Sequence, residues 1–237
     1  MRALVFAAGR GERMRPLSDV TPKPLLSVGG RRLIECHLEN LARAGVREVV
    51  INTSHLASRF PETLGDGARY GVRIQYSFEG ETPLETGGGM LKALPLLGHE
   101  PFIAVNGDIW TEFDFASLPH DPEGLAHLVL VDNPPQHPRG DFGIGEDGTL
   151  FPFPDASDAQ RALTFAGIGV YRPEILYDWR AVIGNAPGAK ENPPRFPITP
   201  LLRAAISQHR IGWQQHQGAW SDIGTPQRLQ ELDEKLR

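Results

Sequence analysis

The stretch "MRALVFAAGRGERMRPLSDVTPKPL" (residues 1–25) runs from an apolar segment, Ala3 to Ala7, straight into Gly9 and Gly11. Arg13, Arg15 and Lys23 follow, the lysine set between Pro22 and Pro24. A short apolar run bounded by glycine reads as a buried strand opening into a loop. Such a loop offers backbone N–H groups to phosphate oxygens, and the arginines and lysine add mobile cations. Two common phosphate signatures do not fit. In the G-x-G-x-x-G dinucleotide fingerprint Gly9, Gly11 and Met14 take the three glycine positions, so the third glycine is missing. The P-loop needs a Gly-Lys pair, which this stretch lacks. What is left suits a triphosphate, with a solvated basic turn as the alternative reading.

Outward from this strand, apolar runs alternate with helical periodicity. Strands are expected at Glu48–Asn52, Arg73–Phe78, Phe102–Asn106, His127–Asp132 and Thr164–Tyr171. The pattern Leu33, Ile34, His37, Leu38, Leu41, Ala44 predicts a helix that Gly45 ends, and further helices are expected near Met90–Leu96 and Phe113–Leu118. Gly184–Pro200 reads as a long loop. Helices then follow over Pro200–Gln208 and Pro226–Leu236, the last with Thr225 as N-cap. Strands and helices in alternation imply an α/β fold, a mixed, mostly parallel sheet with helices on both faces. One domain over residues 1–237 is expected, its character changing near residue 133, where prolines and glycines crowd the chain.

Composition narrows the function. The net charge of -5 argues against general nucleic-acid binding. No apolar run approaches the roughly 18 residues of a membrane span, and Met1 leads into the strand without a leader pattern, so a cytoplasmic protein is expected. The single cysteine, Cys36, and eight scattered histidines form no zinc-ligand spacing.

Two further segments place carboxylates beside glycines. "PFIAVNGDIW" ends an apolar strand in Asn106, Gly107 and Asp108, at the carboxyl edge where α/β sheets bind ligands. "AWSDIGTPQRL" puts Asp222 just before a helix start. Each alone is an ordinary turn residue. Together, two carboxylates from distant segments suit Mg²⁺, which completes its shell with water and phosphate oxygens. "LETGGG" (84–89) supplies three glycines that would let a flat ring approach the backbone.

With these motifs on the page, "AAGRGERMRPLSDVTPKPL" resembles the signature G-x-G-x-R-[LM]-x-P…P-K-P of the sugar-1-phosphate nucleotidylyltransferases. The resemblance extends over essentially the whole chain. It implies their three-layer, Rossmann-like nucleotide-diphospho-sugar transferase fold, with residues 1–132 mainly on the nucleotide side and 133–237 mainly on the sugar side. It further implies that Gly9, Gly11, Arg13 and Lys23 hold the triphosphate, that Ala8 and Asn106 also meet the nucleotide, and that Asp108 and Asp222 hold Mg²⁺. The base would meet Glu79 and Gly88. The sugar would meet Asn106, Arg139, Gly140, Asp141 and Gly143, in "VNGD" and "RGDFGI". Glu12 stands where many members carry threonine. A Glu-Lys-Pro found in many members is also missing, since residues 151–162 contain no lysine.

"PLETGGG", "VNGDIWT", "LTFAGIGVY" and "WSDIGTPQRL" together are most similar to the uridylyl-transferring members that act on N-acetylmuramate 1-phosphate in cell-wall recycling. UTP and a sugar 1-phosphate are thus the implied partners, with no nucleic acid and no membrane; a monomer is compatible with the sequence. Arg139 is the candidate for the muramate carboxylate, with Arg195 and Lys190 in reserve. Guanylyl transfer to mannose 1-phosphate or another hexose phosphate, cytidylyl transfer to phosphocholine, a non-catalytic nucleotide-sugar sensor and a nicotinamide-dependent enzyme are the other readings. The last is disfavoured by the broken fingerprint, and a sensor by the retention of Arg13, Lys23, Asp108 and Asp222 together.

Overall fold

Seven strands carry the central sheet of the computed structural model, which describes residues 1–237. They are β1 (Arg2–Phe6), β2 (Glu48–Thr53), β3 (Arg73–Phe78), β4 (Phe102–Asn106), β5 (Ala126–Val131), β6 (Arg161–Tyr171) and β7 (Ile211–Gln215). Their spatial order is β7-β5-β6-β4-β1-β2-β3, and two short strands, Phe142–Ile144 and Leu150–Phe151, continue the sheet beside the first residues of β6. β1 pairs in parallel with β2 and β4, β2 with β3, and β5 with β7, while β6 is antiparallel to both β4 and β5. Only β6 therefore runs against the other six, and the sheet is mixed and mostly parallel. From β1 the chain moves outward to β2 and β3, then returns to the other side of β1 for β4. The crevice at the carboxyl ends of β1 and β4 is thus the topological switch point where such sheets bind ligands.

From Ala3 to Phe6 β1 is apolar because both of its faces are covered. Ala3 and Val5 face one core with Ile34, Leu38 and Leu41 of α1 (Leu33–Arg43) and Phe60 of α2 (Arg59–Leu64). Leu4 faces the other with Met90, Ala93 and Leu97 of α3 (Glu85–Leu97), Trp179 of α4 (Trp179–Ile183) and Leu202 of α5 (Thr199–Ser207). The period of two in a strand sorts these residues into two layers of helix. A third small core gathers Met14, Leu26, Val28, Leu33, Ile223 and Leu232, the last from α6 (Pro226–Lys235). Gly29 N donates to Asp233 Oδ1 of α6 at 2.8 Å, which ties the two ends of the chain together. No helix is long and apolar enough to cross a membrane.

The expected strands lie within a residue or two of those observed, apart from β6, which begins three residues earlier. Thr225 caps α6 as its position suggests, its hydroxyl accepting from Arg228 N. Several elements differ. α3 begins at Glu85, so Gly87, Gly88 and Gly89 lie inside the helix. β7 and α4 were not expected: β7 is half-buried along its length and is held by pairing to β5, a non-local contact that no periodicity announces.

Candidate active site

Past β1 the backbone turns at Gly11, whose φ of 63° is the left-handed conformation that glycine adopts without strain. The Ser18 hydroxyl donates to Gly11 O at 2.7 Å, and Met14 N donates to the same oxygen at 2.8 Å. Met14 is fully buried in the small core, which pins the loop from beneath. Its neighbours then part company. Arg15 pairs with Asp19 at 3.2 Å, whereas Arg13 has no carboxylate partner and lines a cleft of about 840 Å³. Ala8, Gly9, Gly11, Glu12, Lys23, Glu79, Asn106 and Asp108 line it too.

The Pro-Lys-Pro segment has a geometric purpose. Gly107 N donates to Phe6 O at 2.9 Å, and a Cβ at Gly107 would lie 2.7 Å from that oxygen and 3.2 Å from the Pro24 ring. Only glycine lets β1, β4 and Pro24 close together, and the closure brings Lys23 Nζ to 2.5 Å from Asp108 Oδ2. Lys23 is 8% exposed, so most of the water that would solvate its ammonium is replaced by this carboxylate.

Asp222 reaches the same corner through a ribbon in which Trp220–Asp222 pairs with Ile109–Thr111, Asp222 opposite Ile109. Ile223 N donates to Asp108 O at 2.9 Å, so the backbones of the two aspartates are neighbours. His37 in α1 supports the ribbon, its Nε2 donating to Ile109 O at 2.9 Å. Burial pushes the His37 pKa down to about 4, so the ring is neutral at pH 7 and its proton sits on Nε2. Asp222 accepts from Gln136 Nε2 at 2.5 Å and from Arg228 Nη1. It lies two residues before Gly224, which lines the cleft. One oxygen of Asp108 has no protein partner and the other faces Lys23, while Asp222 has one oxygen on the Gln136 amide and the other on Arg228. Two carboxylates on neighbouring backbones beside a glycine-rich loop form a hard-oxygen donor set that fits a divalent cation.

A buried polar chain floors the cleft. Asn52 Oδ1 accepts from Ala7 N at 2.7 Å, Asn52 Nδ2 donates to Glu79 Oε1 at 2.6 Å, and Glu79 Oε2 accepts from Leu84 N at 2.7 Å. The ends of β1, β2 and β3 and the start of α3 are thereby held in one register. Burial raises the Glu79 pKa, against the lowering effect of these two donors. Both Glu79 oxygens serve the scaffold, and Asn52 is a member that sequence reasoning missed, a polar strand end without a motif. A Cβ at Gly89 would lie 2.4 Å from Glu79 Oε1 and 2.8 Å from Asn52 Nδ2. Gly89→Ala is therefore expected to destabilise the fold by about 1 to 3 kcal/mol, as overpacking does, a loss that a denaturant melt would measure.

Gly88 takes a different part from the one expected of it. Its N–H, like that of Gly87, donates to Phe196 O, at 3.0 and 2.9 Å respectively, and its Cα faces Pro194 O, which an added Cβ would approach to 2.4 Å. The glycines of α3 thus admit the 194–196 segment, and Gly88 is not presented to the cleft. That segment brings Arg195 to the cleft wall, paired with Glu191 at 2.9 Å and with Glu85 at 3.6 Å. Glu85, the first residue of α3, has φ 62°, an uncommon conformation for a residue with a side chain.

A second cavity of about 220 Å³ adjoins the cleft, sharing Phe6, Thr86 and Asn106 with it. It lies where β6 is irregular between Phe165 and Ile168. Gly167 there has φ 76°, and a Cβ on it would strike the Asn106 side chain at 2.7 Å. Asp141 lines this cavity, its Oδ2 accepting from Phe165 N at 2.8 Å and its Oδ1 lying 3.1 Å from His137 Nε2. Arg139, Gly140 and Gly143 line neither cavity. Gly140 has φ 70° and backs onto the Asn133 side chain, and Gly143 sits within a strand against Ala159. Arg139 is 79% exposed and 3.7 Å from Asp155, and Lys190 is exposed. The structure brings Arg203 of α5 to the inner cavity instead, a helical residue without any motif around it.

Residues 2–237 match the family described as Nucleotidyl transferase. The chain is 45% identical to the N-acetylmuramate alpha-1-phosphate uridylyltransferase of Neisseria meningitidis serogroup B, over 98% of this chain and 96% of that protein. It is 32% identical to the Caulobacter vibrioides protein of the same name, over 95% and 92%. A mannose-1-phosphate guanylyltransferase of Mycobacterium tuberculosis is 29% identical, over 95% and 61%. Among solved structures, a Bacillus anthracis protein described as a glucose-1-phosphate thymidylyltransferase superposes with a TM-score of 0.80 at 18% identity, covering all of this chain and 95% of its own. That likeness concerns the fold.

Proposed function

Because the chain belongs to the nucleotidyl transferase family, we propose that it transfers UMP from UTP to N-acetylmuramate α-1-phosphate, giving UDP-N-acetylmuramate and pyrophosphate. The observation that carries this reading is the cleft at the switch point, lined by the unpaired Arg13, Lys23 and Asp108, with Asp222 joined to Asp108 through the adjoining ribbon, in a chain 45% identical to a protein of that activity. The alternative assignment to mannose 1-phosphate and GTP rests on a more distant likeness.

A phosphate oxygen of the sugar 1-phosphate attacks the α-phosphorus of UTP in line, and the bond from that phosphorus to the bridging oxygen of the β-phosphate breaks. The phosphate monoester is its own nucleophile, so the protein supplies alignment of two like-charged reactants and neutralisation of the charge that develops. The Gly9–Gly11 backbone and Arg13 hold the leaving pyrophosphate. Lys23, kept in place by Asp108, stabilises the α-phosphate. Asp108 and Asp222 would hold Mg²⁺, which would supply positive charge to offset that of the phosphates. The Asn52–Glu79 chain keeps the loop and the base-facing start of α3 in fixed relation. Residues 1–132 then serve mainly the nucleotide, and the inner cavity, with Asn106 and Asp141, the sugar. A place in peptidoglycan recycling in the cytoplasm belongs to the same proposal.

The test is pyrophosphate release from each nucleoside triphosphate paired with a panel of sugar 1-phosphates and Mg²⁺. UTP with N-acetylmuramate 1-phosphate is expected to give the highest kcat/KM. A higher value for GTP with mannose 1-phosphate would replace this reading with the alternative.

A further inference from the structure

Arg203 presents an unusual combination. Its Nε is buried without a hydrogen-bond partner, its guanidinium has no carboxylate within ion-pair distance, and it lines the inner cavity. A buried guanidinium N–H left unpaired is costly, since the hydration it gave up is not replaced. Yet the side chain is firmly placed, its guanidinium carbon 4.5 Å from the centre of the Phe153 ring, a stacking contact suited to arginine. Thr199 lies one helical turn before it on the same face of α5 and lines the same cavity. Arg203 is the only cation there.

We infer that Arg203, with Thr199 beside it, receives a carboxylate carried on the sugar and so determines selectivity for an acidic sugar phosphate. The inference rests on the proposed function. The two cavities meet at Phe6, Thr86 and Asn106, so a sugar whose 1-phosphate lies by Lys23 and Asp108 extends past Asn106 into the inner cavity. N-acetylmuramate differs from N-acetylglucosamine by a lactyl ether, which adds one carboxylate and one methyl group. The cavity supplies an unpaired arginine for the first and Phe142, Phe165 and Leu202 for the second. Asp141, also in this wall, is engaged by Phe165 N and His137, and its remaining lone pairs suit sugar hydroxyls. Arg195, the other cation nearby, is already paired with two carboxylates, and Arg139 lies outside both cavities. The arginine that holds the carboxylate is therefore set in a helix, where packing fixes its position more closely than a loop would.

The experiment compares kcat/KM for N-acetylmuramate 1-phosphate and N-acetylglucosamine 1-phosphate, with UTP and Mg²⁺, in wild type, Arg203→Gln and Arg203→Lys. The ratio of the two values is independent of how much of each preparation is folded. Arg203→Gln is expected to lower the preference for muramate by about tenfold or more, the usual worth of a charge-assisted contact. Arg203→Lys, which keeps the charge, should retain more of that preference. A wild-type ratio retained in Arg203→Gln, or parallel losses on both sugars in both variants, would overturn the assignment of Arg203. A wild type that prefers the glucosamine phosphate would overturn it too while leaving uridylyl transfer in place. Failure to use UTP with either sugar would instead overturn the proposed function itself.

Discussion

Asp108→Asn and Asp222→Asn are each expected to lower kcat by at least about a hundredfold, the typical cost of removing one transition-state contact in a preorganised site. The two aspartates come from segments joined by the ribbon and by the Ile223 N to Asp108 O hydrogen bond, so each variant leaves the other carboxylate in place but alone. A cation shared between two carboxylates and the phosphates then loses half of its protein anchorage. Asparagine is the informative replacement. It keeps an acceptor for Lys23 Nζ at position 108 and for Arg228 at position 222, so the fold stays supported while the anionic ligand is lost. Turnover measured across a Mg²⁺ titration, beside a thermal melt, separates the two effects. Near wild-type turnover at limiting Mg²⁺ would remove that aspartate from the metal site.

Lys23→Met is expected to cost about 3 to 4 kcal/mol in kcat/KM, a loss of a hundredfold or more, because in the proposed mechanism the ammonium acts on charge that grows in the transition state. Arg13→Lys should also fall well below wild type, chiefly in nucleotide affinity. A planar guanidinium can span two phosphate oxygens at once, a geometry that an ammonium lacks. Arg13 is exposed, so its replacement disturbs no core, whereas Lys23 is buried and its loss leaves Asp108 with an unpaired oxygen. Single-turnover kinetics at saturating UTP distinguishes binding from chemistry for both. An Arg13→Lys enzyme with unchanged UTP affinity and turnover would refute the two-oxygen contact.

Much of the cleft's lining was legible in the sequence because its parts are local. A strand ending in Gly9 and Gly11, a lysine locked between two prolines, and an aspartate directly after an apolar strand each carry backbone demands that few residue types meet. Alternation of strand and helix likewise gave the layered, mostly parallel sheet. Gly88 and Arg139 show where the reading went astray. A run of three glycines is the same string whether it admits a base or a neighbouring segment of chain, and here Phe196 and Pro194 occupy the space. An arginine beside glycines is likewise the same string whether its loop turns toward the sugar or toward solvent.

By itself, then, the sequence determined the fold class and where the glycine-rich loop and the two aspartates fall along the chain, since strand periodicity, proline and glycine act over a few neighbouring residues. Only the tertiary structure decided that Asp222 meets Asp108 across a ribbon, that Asn52 and Glu79 brace the floor, and that the cation of the inner cavity is Arg203. The physical reason is that these depend on pairing and packing between segments far apart in the chain. Whether a side chain keeps water, gains a partner or is left unpaired at a cavity wall is settled only when those segments close on one another.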